Sequence, residues 1–235
     1  MDIVYILGPG DRTWLRWSLR SLQNLPHDRV FVVGERPPFL SSSVHYLPVP
    51  RHPVKWRSAV ANLRRACAEG DVSADFILMN DDFFITRPVP EIPTYHRGKI
   101  TEVLADVRQR VKYFSKYQQG MEESRRVLGK HFGIADPVSY SLHTPFVYNK
   151  YRLLETLDVS DQLRRRTVEA TDTRTMYGNM WKIGGRKVRD VKLSKVFPSV
   201  TSDLPFRSSD PWTWERPHTQ FIRDMFPDPS PYERA

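Results

Sequence analysis

The sequence predicts an α/β fold, a mostly parallel Rossmann-type sheet flanked by helices, with a helical lobe toward the C-terminus. Three observations predict it. Over the first hundred residues, short apolar runs alternate with segments of helical period. Each run ends at a cluster of Gly, Pro, Asn or Asp, the residues that stop a strand and turn the chain. From about Lys99 the pattern changes to long polar helical stretches. A chain of 235 residues can bury a core without staples. It shows no internal repeat or low-complexity linker, so the expectation is one compact domain in two parts, residues 1–98 and 99–235.

Along the chain, Asp2 to Leu7 is an apolar strand, closed by the break Gly8-Pro9-Gly10-Asp11. Trp14, Leu15, Trp17, Leu19 and Leu22 recur at amphipathic helix spacing, and Arg29 to Gly34 forms a second strand. After Pro37-Pro38 come a short strand over Val44 to Val49 and a helix over Lys55 to Ala68. The run Phe76 to Met79 ends in Asn80-Asp81-Asp82. This is the βαβ rhythm of a parallel sheet covered on both faces. A long helix is expected from Lys99 to Leu128, its Tyr113, Phe114 and Tyr117 either packing or lining a cleft. Next are a strand or loop at Tyr140 to Val147, a helix at Lys150 to Leu157 and another from Asp161 to the stop at Gly184-Gly185. The Pro-, Ser- and Trp-rich tail from Phe197 should wrap the surface, with a last helix near Thr219 to Met225.

Composition excludes several classes. With 40% hydrophobic residues, 12% aromatics and a net charge of +9, the chain is not disordered, coiled-coil or collagen-like. Its single cysteine, Cys67, removes disulfides and cysteine-rich zinc sites and points to a reducing compartment. No apolar run approaches the ~20 residues of a membrane span, and Met1 to Leu7 reads as a buried strand rather than a signal peptide.

The sharpest chemical feature is Asn80-Asp81-Asp82-Phe83-Phe84, because ligands bind at the carboxyl ends of parallel strands. Adjacent carboxylates there need a cation or donors to neutralise them. Hard Mg²⁺ or Mn²⁺, shared with substrate phosphates, fits that need, and a helix N-cap is the plainer alternative. Gly8, Pro9, Asp11 and Arg12 form a turn whose amides and side chains can meet a nucleotide, although the dinucleotide fingerprint is incomplete. Lys55, at a helix start, is either a phosphate contact or a solvated lysine. His143, in His143-Thr144-Pro145, is a third metal ligand, a general base or a structural histidine. Asp172 is a candidate base or a residue of a solvated helix face, and Arg207 either closes over a donor diphosphate or lies on the surface. Residues 164–195 hold ten Lys and Arg against Glu169, Asp172 and Asp190. With Tyr177 and Trp181 this basic segment could hold nucleic acid through phosphates and stacking, or be a solvated face.

The run Phe76 to Val89, centred on Asn80-Asp81-Asp82-Phe83-Phe84, closely resembles the second conserved block of the Stealth proteins, sugar-1-phosphate transferases of microbial capsules and of lysosomal enzyme tagging. Asp2 to Tyr5, Ser18 to Leu22 and Val30 to Val33 resemble their opening block, and His143-Thr144-Pro145 their later His-x-Pro block. The chain also resembles short glycosyltransferases of actinobacterial phages, whose acidic block runs on into a segment like Tyr95-His96-Arg97-Gly98. The resemblance implies a glycosyltransferase-A-like sheet binding a nucleotide sugar within 1–98, a divalent metal at Asp81 and Asp82, and His143 near the reacting groups. Where the family has Trp-Val-Asp-Gly-Ser-Asp after the first strand, this chain has Gly8-Pro9-Gly10-Asp11.

The expected function is therefore a metal-dependent glycosyltransferase. Asp81 and Asp82, with His143, hold Mn²⁺ or Mg²⁺. Gly8, Pro9, Asp11, Arg12, Lys55, Asn80, Asp81 and Arg207 hold the donor, a UDP-sugar by preference. Asp82, Asp172 and His143 serve catalysis. Residues 99–235 form the acceptor side, and the leading acceptor is a hydroxymethylated pyrimidine in phage DNA, held by segment 164–195 in the cytoplasm of an infected bacterial host. The alternatives are Stealth-type sugar-1-phosphate transfer, a glycan or phage structural protein as acceptor, and a non-catalytic nucleic-acid-binding module.

Overall fold

A computed structural model of the chain describes residues 1–8, 12–109, 112–193 and 202–234. The first elements are β1 (Asp2–Leu7), α1 (Leu15–Ser21), β2 (Val30–Gly34), β3 (Val44–Pro48), α2 (Lys55–Ala68), β4 (Asp75–Met79) and β5 (Phe83–Ile85). Next come β6 (Tyr95–His96), α3 (Ile100–Arg108), α4 (Lys116–Phe132), β7 (Phe146–Asn149), α5 (Lys150–Leu163) and α6 (Thr173–Met180). The chain ends with β8 (Arg186–Lys187), β9 (Lys192–Leu193), β10 (Phe206–Ser209), α7 (Pro211–Trp214) and α8 (Gln220–Met225). They form two compact units, Met1–Ile92 with His143–Lys150 and Val191–Ala235, and Pro93–Leu142 with Tyr151–Asp190. These bounds differ from a division at residue 98. The tail belongs to the first unit because its strands complete a sheet there.

In the first unit a five-stranded sheet has the order β3-β2-β1-β4-β7. β1 to β4 run parallel and β7 lies antiparallel against β4. β1 and β2 are buried almost throughout, as is β4 after Asp75, which is why they read as continuous apolar runs rather than alternating ones. Register aligns Leu7, Gly34 and Pro48, the last residues of β1, β2 and β3. Met79 pairs with Tyr5, so Asn80 and Asp81 emerge beside the end of β1.

A second sheet, β5-β10-β9, was not foreseen. The tail does not merely wrap the surface: Phe206, Ser208 and Ser209 are buried in β10. Behind it, Phe84 stacks on Trp214 at 5.5 Å and 11°. These two pack with Ile222 and Phe226, and Trp14 and Trp17 cover them. The chain end is clamped by Glu233, whose fully buried carboxylate takes Nε and Nη2 of Arg20 at 2.8 and 2.9 Å and Nη1 of Arg16 at 3.0 Å.

In the second unit, two helices stand where one was expected from Lys99 to Leu128. Ser115 and Gln118 form a capping box that starts α4 afresh. Phe114 and Tyr117 pack on Ile100, Val103, Leu104 and Met121, whereas Tyr113 is exposed. The helix expected from Asp161 to Ile183 is likewise interrupted. The Arg165 backbone N–H and Nε both donate to the buried Glu123 carboxylate at 2.7 Å, which stops α5 at Leu163, and Asp172 caps a new helix, α6. The chain passes Gly178 against the ring of Tyr140, where a Cβ would sit 2.4 Å from ring carbons.

Candidate functional site: an acidic pair beside a strand-end cavity

Asp81 and Asp82 lie between β4 and β5, so there is no helix for them to cap. Each is neutralised from elsewhere in the chain. Asp81 Oδ2 accepts Arg12 Nη1 at 2.7 Å and Trp14 Nε1 at 2.9 Å. Asp82 Oδ2 accepts Lys192 Nζ at 3.2 Å and Ser208 Oγ at 3.0 Å. The Asp82 carbonyl takes the Ser209 N–H at 3.3 Å. Burial and the adjacent Asp82 charge push the Asp81 carboxyl above the usual range, and Arg12 and Trp14 pull it back only in part. The Oδ1 atom of each receives no hydrogen bond among the described residues, and the side chains are 15% and 17% exposed.

The backbone after the pair is held from β1 and α1. Ser18 Oγ donates to the Phe83 carbonyl at 2.5 Å and accepts the Tyr5 hydroxyl at 2.9 Å. Ser21 Oγ accepts the Ile85 N–H, and Asn24 Nδ2 donates to the Ile85 carbonyl. These buried serines fix where the acids stand. Asn80 closes the turn through its carbonyl, which takes the Phe83 N–H at 3.2 Å.

The other expected residues divide. Arg12 joins the site: its Nε donates to the Gly8 carbonyl at 3.1 Å while its Nη1 holds Asp81. Pro9 and Asp11 lie outside the described residues. Lys55 is exposed at the first position of α2, on the same face as Ser58 and Asn62. His143 stands edge-on to Phe83, ring centroids 6.4 Å apart. Among the described residues no three His, Cys, Asp or Glu side chains converge as a metal group. Arg207 lies in β10. Its guanidinium donates to the carbonyls of Ser202, Leu204 and Phe206, with burial and nearby Arg87 depressing its pKa, so it braces its own loop.

Asp172 is the N-cap of α6, not a solvated helix face, and lies in the second unit. Its Oδ1 accepts the Thr175 N–H at 3.1 Å, and its Oδ2 is buried without a donor. Burial pushes its carboxyl up, and the Thr175 bond and Arg174 offset this in part.

Three features were missed. Lys192 and Ser208 supply the partners of Asp82 from β9 and β10. Beside the acids, a cavity of about 290 Å³ opens at the carboxyl ends of β1, β2 and β3. It is lined by Leu7, Gly8, Gly34, Tyr46, Ser58 and Asn62 among others, with Glu35, Arg36 and Arg51 supplying charge. Gly8 thus borders the cavity and, through Arg12, touches Asp81. Gly34 has φ +111°, and a Cβ there would fall 2.3 Å from the Leu7 carbonyl and 2.8 Å from Asn62 Nδ2. The Val-Val-Gly ending of β2 was the available signal.

No protein-family model and no curated protein matches the chain. Among solved structures it is similar to the galactosyltransferase LgtC in complex with donor and acceptor sugar analogues, with 12% identity, 98% of this chain and 96% of that one covered, and a TM-score of 0.56. An active-site mutant of LgtC aligns at 13% identity over 99% and 85% with a TM-score of 0.48. Mouse xyloside xylosyltransferase 1 in its apo form aligns at 10% identity over 96% and 94%, with a TM-score of 0.36. The first of these places the chain in the glycosyltransferase-A-like fold class. Among the described residues no helix is long and apolar enough to cross a membrane.

Proposed function

We propose that this protein is a metal-dependent glycosyltransferase that moves a sugar from a nucleotide-sugar donor to an acceptor hydroxyl. The observation that carries the reading is the acidic pair at the carboxyl end of β4, joined through Arg12 and Gly8 to the strand-end cavity. That is the edge of an open α/β sheet where ligands bind. The residues fit a divalent ion: two adjacent carboxylates each keep an oxygen without a donor, and Asp81 is under-compensated as it stands. A bound Mg²⁺ or Mn²⁺ supplies charge stabilisation for the departing nucleoside diphosphate. Arg12 and Trp14 orient Asp81, and Lys192 and Ser208 orient Asp82, so that both Oδ1 atoms stay available. His143 is the base candidate in the same unit, and Asp172, the other expected base, is the N-cap of α6 in the second unit.

For the acceptor, charge is the guide. The second unit holds 18 Lys and Arg against 11 Asp and Glu, or +7, and the first 18 against 16, or +2. Lys and Arg are equally divided, and the excess of positive charge arises in the unit that does not contain the acidic pair because that unit has fewer acids. This supports a polyanionic acceptor, hydroxymethylated pyrimidine in DNA being the leading candidate. The Asn80 to Phe84 block, with its Stealth resemblance, supports sugar-1-phosphate transfer as the second reading.

The test is turnover of a nucleotide-sugar panel with Mn²⁺ or Mg²⁺, comparing wild type with Asp82→Asn, with and without hydroxymethylated DNA. Metal-dependent release of nucleoside diphosphate, lost in the variant and accelerated by that DNA, is expected. Release of nucleoside monophosphate moves the reading to sugar-phosphate transfer. No turnover with any donor, while DNA still binds, leaves a nucleic-acid-binding module.

A further inference from the structure

Two polar side chains of α2 line the cavity with hydrogen-bonding capacity left unused. Asn62 is 2% exposed, and its Nδ2 donates to the Leu7 carbonyl at 2.9 Å. That acceptor fixes the amide orientation, because only the nitrogen end can face a carbonyl. The oxygen end must therefore point away from Leu7, and Oδ1 is buried with no donor. Ser58, one turn earlier, is 7% exposed, and its hydroxyl makes no hydrogen bond among the described residues. An unsatisfied buried acceptor destabilises a fold unless something supplies the missing bond.

We propose that Ser58 and Asn62 read the base edge of the donor nucleotide. Asn62 Oδ1 accepts a base N–H, and the Ser58 hydroxyl bonds the neighbouring carbonyl or ring nitrogen. This inference rests on the nucleotide-sugar reading and adds the residues that set its base selectivity. The size of the cavity agrees, since about 290 Å³ lies at the lower end for small-molecule sites and suits one nucleoside rather than a whole nucleotide sugar. Position agrees as well: Gly8 links the cavity rim to Arg12 and Asp81, the direction in which the diphosphate must run.

The experiment measures binding of UDP, GDP, CDP and ADP, and of ribose 5-diphosphate, which lacks a base, by calorimetry in Mg²⁺ or Mn²⁺. The preferred nucleotide should bind wild type at least about tenfold tighter than ribose 5-diphosphate. Ser58→Ala and Asn62→Ala should each weaken the nucleotide by about three- to tenfold, the worth of one neutral hydrogen bond, and leave ribose 5-diphosphate unchanged. Ser58→Ala removes no hydrogen bond of the free protein, so it keeps the test decisive should loss of the Asn62 bond to Leu7 unfold the chain. If both variants retain the full preference for the base, the inference is overturned while the transferase reading stands. If no diphosphate binds wild type, the transferase reading itself falls.

Discussion

Replacing Arg12 by Ala tests how the acidic pair is held. The guanidinium lies 2.7 Å from Asp81 Oδ2, with the two side chains 20% and 15% exposed. Two unit charges about 4 Å apart interact by about 4 kcal/mol at an effective dielectric constant of about 20, and desolvation takes part of that back. Breaking a fully buried pair costs about 3–5 kcal/mol, so with this partial exposure a loss of about 2 kcal/mol is expected at pH 8. The sign with pH is set by Asp81, whose folded carboxyl titrates above its unfolded value. Only its ionised form needs Arg12, so the deficit of the variant is full at high pH and closes as pH falls through the raised pKa. Urea unfolding at pH 8 and pH 5, in wild-type and Asp81→Asn backgrounds, measures this. In the Asp81→Asn background the loss should shrink to about 0.5–1 kcal/mol, the hydrogen bond to Gly8. An equal loss in both backgrounds, or one that does not fall with pH, refutes the pairing as the reason Arg12 matters.

Gly34→Ala should lower stability by at least about 2 kcal/mol, read as a drop in Tm, because the new Cβ meets the Leu7 carbonyl at 2.3 Å in left-handed backbone. Glu233→Gln should destabilise by about 3 kcal/mol at pH 7 by leaving Arg16 and Arg20 without their carboxylate. Burial alone would raise Glu233, but bonds from Arg20, Ser230 and Arg16 outweigh it and hold the carboxyl below its usual range. The stability it contributes is therefore present above its unfolded pKa and lost as pH falls through the lowered folded pKa, so variant and wild type should converge in acid unfolding curves below the usual carboxylate range. Burial pushes the Cys67 thiol up to about 12, so alkylation by iodoacetamide should be slow in the native protein and fast in denaturant.

The elements legible in the sequence were those whose signal is local. β1, β2 and β4 announce themselves as apolar runs, and Asp81 with Asp82 stands out because carboxylates rarely end such a run. What the sequence hid depends on distant partners. Lys192 and Ser208 lie 110 and 126 residues from Asp82, the first at the end of a basic run and the second in a tail whose Ser and Pro content masks a strand of four residues. The end of α5 was equally hidden, since Arg164 to Arg166 continue a polar helical pattern and only Glu123, 42 residues earlier in the chain, pulls Arg165 out of it. Ser58 and Asn62 sat three and seven residues beyond Lys55 on an expected helix. Nothing in spacing alone separates a cavity-lining Asn from a surface one.

The placement of charge around the acids bears on why the pair exists. A turn between two strands has no helix dipole to satisfy, and an Asn or Gly in place of either acid would close it without repulsion. Here Arg12 and Trp14 from the segment before α1, and Lys192 and Ser208 from the C-terminal strands, all converge on the pair. Each contact falls on Oδ2 alone. Cations recruited only to cancel charge would gain most by bridging both oxygens of a carboxylate, as Arg20 does at Glu233. One-sided contacts give up part of that gain and keep two hard oxygen donors side by side with repulsion only partly relieved, and on that arrangement the proposed divalent-ion site rests.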